Sequence, residues 1–383
     1  MLFALGQAGP GGSSTLSVVD GVIVFHGLRV TSLADVVHVC AHGARALAVT
    51  RTGAVYRFQF KPRNCRVDVE YYTEAVRVPP SLFGETPVDC VSLGPMHFLA
   101  LFADGRVGGA GFNVRGCLGR PPRVLPQTYD LLVPLDGGAL EAGCAVSVVA
   151  GVACSVVVNT RGQALGVGCN GHGQFGLGHE RPCYAWTLLG LESVVTLDMS
   201  EHLVAVLQDG TVRAAGMNNV GQLGLGDLVD RSRFERVDVP PVGSVACGYS
   251  HTVIVDRTGT VRVCGQHEET GPVASSFWCV PGLPAMAQVA EGDASSGGLS
   301  RDGRVFVWGD TDLAPTMMLA GISLEERRRP LAATLALAFL MSQHARLGAA
   351  SMPGGLAADL ARRIVEASAN RERASERAMR GEW

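Results

Sequence analysis

Residues 194 to 226 read VVTLDMSEHLVAVLQDGTVRAAGMNNVGQLGLG, and their parts recur along most of the chain. An apolar run, His202 to Leu207, meets Asp209-Gly210. A second strand-like run then ends at Gly216, and a glycine-rich loop follows from Asn218 to Gly226. Asp-Gly between two apolar runs is a strong short-range hairpin signal, because glycine accepts the positive φ of a tight turn. The expected unit is therefore one hairpin on a type I′ turn plus one stereotyped loop. Anchoring on Gly210, the pattern returns at Gly53, Gly105, Gly162, Gly259 and Gly303, with spacings of 52, 57, 48, 49 and 44 residues in chain order.

The copies agree in detail. Six residues after the anchor stand Gly111, Gly168, Gly216, Gly265 and Gly309, and eight after it stand Asn113, Asn170 and Asn218. Eight before it lie His97, His202 and His251. A period near fifty with two or more strands per unit signals a propeller, in which no unit buries its apolar faces until neighbours stack on it.

CGYSHTVIVDRTGTVRVCG (Cys247 to Gly265) and NNVGQLGLGD (Asn218 to Asp227) resemble the repeat of the regulator of chromosome condensation family. The resemblance covers the first 310 residues or so and implies an all-β, seven-bladed propeller. It also implies a rival to plain protein binding, namely guanine-nucleotide exchange on a Ran-like small GTPase. The inserted wedge and loop side chains that carry exchange in that family find no residue-by-residue match here. Another relative, the plant ultraviolet-B photoreceptor, relies on clustered tryptophans, whereas this chain has Trp186, Trp278, Trp308 and Trp383 far apart in sequence.

Bulk composition sets limits. Of 383 residues 49 are glycine, 17% are charged and the net charge is −3, so nothing favours binding to DNA or to an anionic membrane over the whole surface. All cations but Lys61 are arginine, which biases contacts toward planar, bidentate hydrogen bonding. The eleven cysteines form no C-x-x-C pair. Cys40, Cys247 and Cys264 fall in repeat slots, where a small buried hydrophobe in a reducing compartment is expected rather than a disulfide or a metal ligand. Met1 to Gly6 matches the second strand of a repeat, so the N-terminus is read as mature structure and the protein as intracellular, cytoplasmic or nuclear.

Residues 1–311 are expected to form the propeller and 312–383 a helical extension used for docking. Ser323 with Glu326 makes a capping box, and Leu356, Leu360 and Ile364 fall at helical spacing. Six hairpins and a lone N-terminal strand leave one blade incomplete, and Ala333 to Leu337, within 331–341, is the candidate closing strand, the alternative being a buried helix that continues from Ser323. Gln59 to Pro80 reads as elaborated outer strands.

No constellation points to small-molecule catalysis. The loop GQLGLGD follows a hairpin and opens no helix, so it is not a phosphate cradle. His97, His202 and His251 share a slot, which argues for a repeated structural bond, and His267-Glu268-Glu269 lacks the second histidine of a zinc protease helix. No catalytic, cofactor or metal residues are expected. Arg327 to Arg329 reads as a solvated face. The expected function is a protein-binding scaffold, part of a larger complex. Its candidate partner surface is Arg115, Arg120, Arg123, His172, His179, Arg181, Arg231, Arg233, Tyr71 and Tyr72.

Overall fold

The computed structural model describes residues 3–7, 13–19, 22–25, 28–29, 33, 35–42, 45–59, 75–79, 86–113, 115–120, 128–134, 140, 144–266, 272–291, 296–301, 305–308 and 316–317. Among these residues the strands form seven four-stranded antiparallel sheets, each a simple meander. The first holds β1 (Phe3–Gln7), β2 (Ser13–Val19), β3 (Val22–Phe25) and β4 (Leu28–Arg29); the second β5 (Val36–His42), β6 (Arg45–Thr50), β7 (Val55–Gln59) and β8 (Val76–Arg77). The third holds β9 (Val88–Leu93), β10 (His97–Phe102), β11 (Val107–Phe112) and β12 (Thr128–Pro134); the fourth β13 (Ala145–Ala150), β14 (Cys154–Asn159), β15 (Ala164–Gly168) and β16 (Cys183–Leu188). The fifth holds β17 (Val194–Met199), β18 (His202–Leu207), β19 (Val212–Gly216) and β20 (Arg231–Val237); the sixth β21 (Val242–Cys247), β22 (His251–Asp256), β23 (Val261–Gly265) and β24 (Ala274–Cys279). The seventh holds β25 (Met286–Glu291), β26 (Ser296–Ser300), β27 (Val305–Trp308) and β28 (Thr316–Met317).

The first strand of each sheet lies beside the first strand of the next, and β25 lies beside β1. The cores sit between sheets. Leu99, Leu101 and Val107 of the third sheet pack with Val148, Val157, Leu165 and Trp186 of the fourth; Val204, Val206 and Val212 of the fifth pack with Val242, Val245 and Ile254 of the sixth. A middle strand such as β14 or β22 is therefore buried at every residue. That double-sided burial explains why its sequence is a near-continuous apolar run rather than an alternation. Cys154 and Cys117 belong to these cores, where burial pushes their thiols up to about 12, and burial likewise raises Cys247 and Cys264.

Two expectations are corrected. The hairpin turn is a three-residue loop, not type I′. The Gly210 amide donates to the Leu207 carbonyl, and the Leu207 amide donates to Thr211 across the loop. Gly210 has φ +89°, while Asp209 does not take positive φ. Asp209 instead accepts the Thr211 amide through Oδ1 at 2.8 Å, holding a type I turn followed by a glycine bulge. Gly53, Gly105, Gly162 and Gly259 repeat this geometry; Gly303 and Gly309 lie outside the described residues. The second correction concerns the N-terminus. Phe3–Gln7 is not a second strand awaiting a partner from elsewhere: it is the first strand of its own sheet and pairs with β2, from Phe3↔Ser17 to Gln7↔Ser13. The expected closing strand at 331–341, the helical extension and Arg327 to Arg329 lie outside the described residues, as do His267 to Glu269 and most of the Gln59 to Pro80 segment.

Each turn glycine also joins one sheet to the next. Its carbonyl accepts the amide of the first residue of the following sheet: Gly105 from Ala145 at 3.1 Å, Gly162 from Val194 at 2.9 Å, Gly210 from Val242 at 2.9 Å and Gly259 from Met286 at 2.8 Å. A side chain at Gly210 would stand 2.7 Å from Pro241 Cβ, and one at Gly259 2.9 Å from Ala285 Cβ. Gly210→Val or Gly259→Val combines a β-branched residue at positive φ with a clash at the seam, so each should destabilise by about 3 kcal/mol or more. Thermal denaturation checks this; a variant with an unchanged melting temperature that lost only partner binding would contradict it.

Candidate functional site

Strand alternation sends the loops between first and second strands, and between third and fourth strands, to the same end of every sheet. This end carries the glycine-rich loops. Inside each loop the repeat asparagine closes a ring of bonds. Asn113 Oδ1 accepts Leu118 N, Asn170 Oδ1 accepts Phe175 N and Asn218 Oδ1 accepts Leu223 N, each at 2.9 Å. The Nδ2 groups donate to the carbonyls of Arg120, His179 and Asp227 at 3.0, 2.7 and 3.0 Å. The loop then laps over the outer strand of the next sheet. Gly178 N donates to Ser232 O at 2.6 Å and Gly226 N to Ser275 O at 2.8 Å. A side chain on Gly176 or Gly224 would run into the ring of Phe234 or Phe277. These glycines admit an aromatic ring of the neighbouring sheet, and the structural reading of GQLGLGD holds.

The histidine slot makes the second inter-sheet bond. His97 Nε2 lies 2.7 Å from Ser155 Oγ in the next sheet, and Ser155 Oγ donates to Cys117 O at 2.8 Å. His202 Nε2 lies 2.7 Å from Thr252 Oγ1, which donates to Gln222 O at 2.6 Å. Since each hydroxyl spends its proton on a carbonyl, the imidazole must donate from Nε2, leaving Nδ1 as a bare acceptor. Burial holds His97 down to about 4; burial and then the nearby His251 hold His202 down to about 3. Both rings are neutral structural clasps. The third copy departs: His251 Nε2 meets the buried carboxyl of Glu291, to which Ser296 Oγ also donates at 3.0 Å. Burial, more than the nearby Asp198, raises Glu291 well above the usual carboxylate range. The hydroxyl half of the clasp, seven residues before each anchor at Ser155, Thr252 and Ser296, was present in the sequence as a periodic hydroxyl and went unread.

The predicted surface residues divide. Arg115, Arg120 and Arg181 are exposed on the loop end where the third sheet's loop crosses the fourth sheet, beside Tyr184. His172 bridges to the next sheet, with Nδ1 3.3 Å from Asp230 Oδ2 and Nε2 3.8 Å from Glu201 Oε2. His179 braces its own loop by accepting Arg181 N at 3.3 Å. Arg231 is held between Asp227 at 2.6 Å and Glu235 at 2.8 Å. Arg233 is exposed with its guanidinium against Gly178. Arg123, Tyr71 and Tyr72 lie outside the described residues. Tyr184, Leu228, Val229 and Tyr249 are exposed apolar or aromatic side chains on or beside these loops that sequence reasoning did not select. Among the described residues no cluster of histidine, cysteine, aspartate and glutamate is placed to hold a metal, and no helix is long and apolar enough to cross a membrane.

Meandering four-stranded sheets stacked about a common axis, with glycine-rich loops lapped from each to the next, define a repeat β-propeller. Residues 209–255 and 243–269 each match the Regulator of chromosome condensation (RCC1) repeat, so this part of the chain carries the repeat of that family. It is 29% identical over 198 residues to the Ultraviolet-B receptor UVR8 of Arabidopsis thaliana, covering 48% of this chain and 45% of the receptor. It is 26% identical over 253 residues to the Regulator of chromosome condensation of Xenopus laevis, covering 60% of this chain and 59% of that one. The chain thus spans about half the length of these relatives. Among solved structures, human WBSCR16 superposes with TM-score 0.62 at 20% identity over 76% of this chain and 79% of that one. Saccharomyces cerevisiae Prp20p superposes with TM-score 0.57 at 17% identity over 72% of each chain. Both likenesses speak for the fold.

Two outcomes test the clasp. Thr252→Val strands the His202 Nε2–H and leaves the Gln222 carbonyl with the weak Cys264 thiol donor, so it should cost about 1–3 kcal/mol in denaturant titration, while the nearly isosteric side chain keeps the core filled. The second outcome is pH dependence. With folded values near 4 and 3 against an ordinary 6.5, His97 and His202 bind protons more readily in the unfolded chain, so their contribution is lost as pH falls below 6.5. Glu291 acts oppositely, destabilising the fold as pH rises above the ordinary carboxylate range. The difference between wild type and His97→Gln/His202→Gln isolates the histidines: wild type should lose on the order of several kcal/mol more than the variant between pH 6.5 and 4.

Proposed function

We propose that this chain is a seven-bladed propeller scaffold, closed by β1 beside β25, that binds a partner protein through its glycine-rich loop end as part of a larger intracellular complex. The observation that carries the reading is the division of labour within those loops. The asparagine and the two glycines three and six residues after it are the same in all three copies, whereas the positions between them change from Arg115 to His172 to Val220 while the asparagine bonds persist. A rigid frame holding variable exposed side chains is the design of a docking surface. No cofactor is assigned.

Guanine-nucleotide exchange on a Ran-like GTPase is the second reading. It is supported by the similarity to the Xenopus regulator and by the fold shared with Prp20p, whose structure is described with its binding properties to Gsp1p and histones. Affinity capture from native extract, followed by mass spectrometry, separates the two. A scaffold recovers the same proteins with or without added nucleotide. Recovery of a GTPase that is lost on adding GDP or GTP, together with accelerated release of a fluorescent GDP, would establish exchange instead.

A further inference from the structure

The repeat supplies its own controls for one patch. The same loop contact is made at three seams: Gly116 faces Tyr184, Gly173 faces Ser232 and Gly221 faces Ser275. The residue before that glycine is Arg115, His172 or Val220; the residue after the second lapping glycine is Arg120, Leu177 or Leu225. Three positions before the contacted outer-strand residue stand Arg181, Val229 or Pro272. Two seams therefore build the same loop with no arginine in any of these slots, so the fold does not require one. The third-to-fourth seam fills all three with arginine and places Tyr184, 44% exposed, among them.

Nothing described neutralises these cations. Arg231, in the next sheet, has two carboxylate partners, whereas Arg115, Arg120 and Arg181 have no ion pair among the described residues. Glu180, also exposed, is the one acidic residue of the 169–182 loop. The whole chain carries a net charge of −3, so the positive field is local to this seam. Arginine forks pair with carboxylates through two parallel bonds, and a half-exposed tyrosine ring offers a flat apolar surface beside them. Duplex nucleic acid, with one charge per about 1.7 Å of axis, gains affinity from long basic tracks; three arginines on an acidic chain suit a short segment instead.

We propose that the seam between the third and fourth sheets docks an Asp/Glu-rich segment of a partner protein, gripped by Arg115, Arg120 and Arg181 against Tyr184. This deepens the protein-binding reading and rests on it. The test uses the full chain and a fluorescein-labelled decapeptide of mixed Asp and Glu, with binding followed by anisotropy at low salt. Arg115→Gln/Arg120→Gln/Arg181→Gln should weaken binding by roughly tenfold or more, with an unchanged melting temperature. Arg51→Gln/Arg161→Gln/Arg236→Gln, the same charge change away from the seam, should alter it by less than about twofold. Equal losses in both variants, no saturable binding, or displacement of the peptide by a DNA duplex at equal charge concentration would each overturn the proposal. Capture from extract separates its failure from that of the parent reading. Partners retained by the site variant as by wild type reject the docking site and leave the scaffold standing; no protein recovered by wild type rejects both.

Discussion

The middle strands of each well-described sheet are buried on both faces, so no sheet can exist without the two between which it lies. Hydrophobic contact supplies the attraction between sheets, but it is non-directional and would allow them to slide or splay. Directional bonds at the two ends of the seam remove that freedom. At one end the turn glycine's carbonyl receives the amide that opens the following sheet, and at the other the glycine-rich loop crosses onto the neighbour's outer strand. The imidazole clasp adds a third point of attachment between the second strands of adjacent sheets.

These attachments account for the most repetitive residues and leave the identity of the intervening loop residues free to vary. That is why the end bearing the loops can differ so much from seam to seam: ion-paired around His172, Arg231 and Asp230, apolar around Leu228 and Val229, basic around Arg115 and Arg181. A relative with the same frame and other loops can serve a different partner, in keeping with the range of proteins to which this chain is similar.

Much of the frame was readable because its constraints are backbone constraints, which glycine and asparagine record faithfully. Gly53, Gly105, Gly162, Gly210 and Gly259 marked the hairpins, and Asn113, Asn170 and Asn218 marked the loops. The first sheet escaped because the run VVDGVIVF, whose Asp20-Gly21 separates β2 from β3, lies only 32 residues before Gly53, outside the period near fifty. The turn type escaped because Asp-Gly suits both a type I′ turn and a type I turn with a glycine bulge; the Asp209 side chain, accepting the Thr211 amide, decides between them. The surface was harder to read. Arg231 and Arg115 look equivalent as letters, and only the distances to Asp227 and Glu235 show that one is already engaged.

At the three seams from the third sheet to the sixth the clasp is either present or absent as a whole. Between the third and fourth sheets His97 faces Ser155, and between the fifth and sixth His202 faces Thr252. Between the fourth and fifth, the histidine slot holds Cys154, the hydroxyl slot holds Leu203, and both belong to the apolar core there. Losing both halves is nearly neutral, whereas losing one buries an orphaned polar group. Similar sheets made from similar sequence face an assembly ambiguity, since their apolar faces are almost interchangeable. If the third sheet docked on the fifth, His97 would be sealed against Leu203 with no acceptor for its proton. A few polar atoms thus act as an addressing system, fixing which part may follow which in a molecule whose parts are otherwise close to identical.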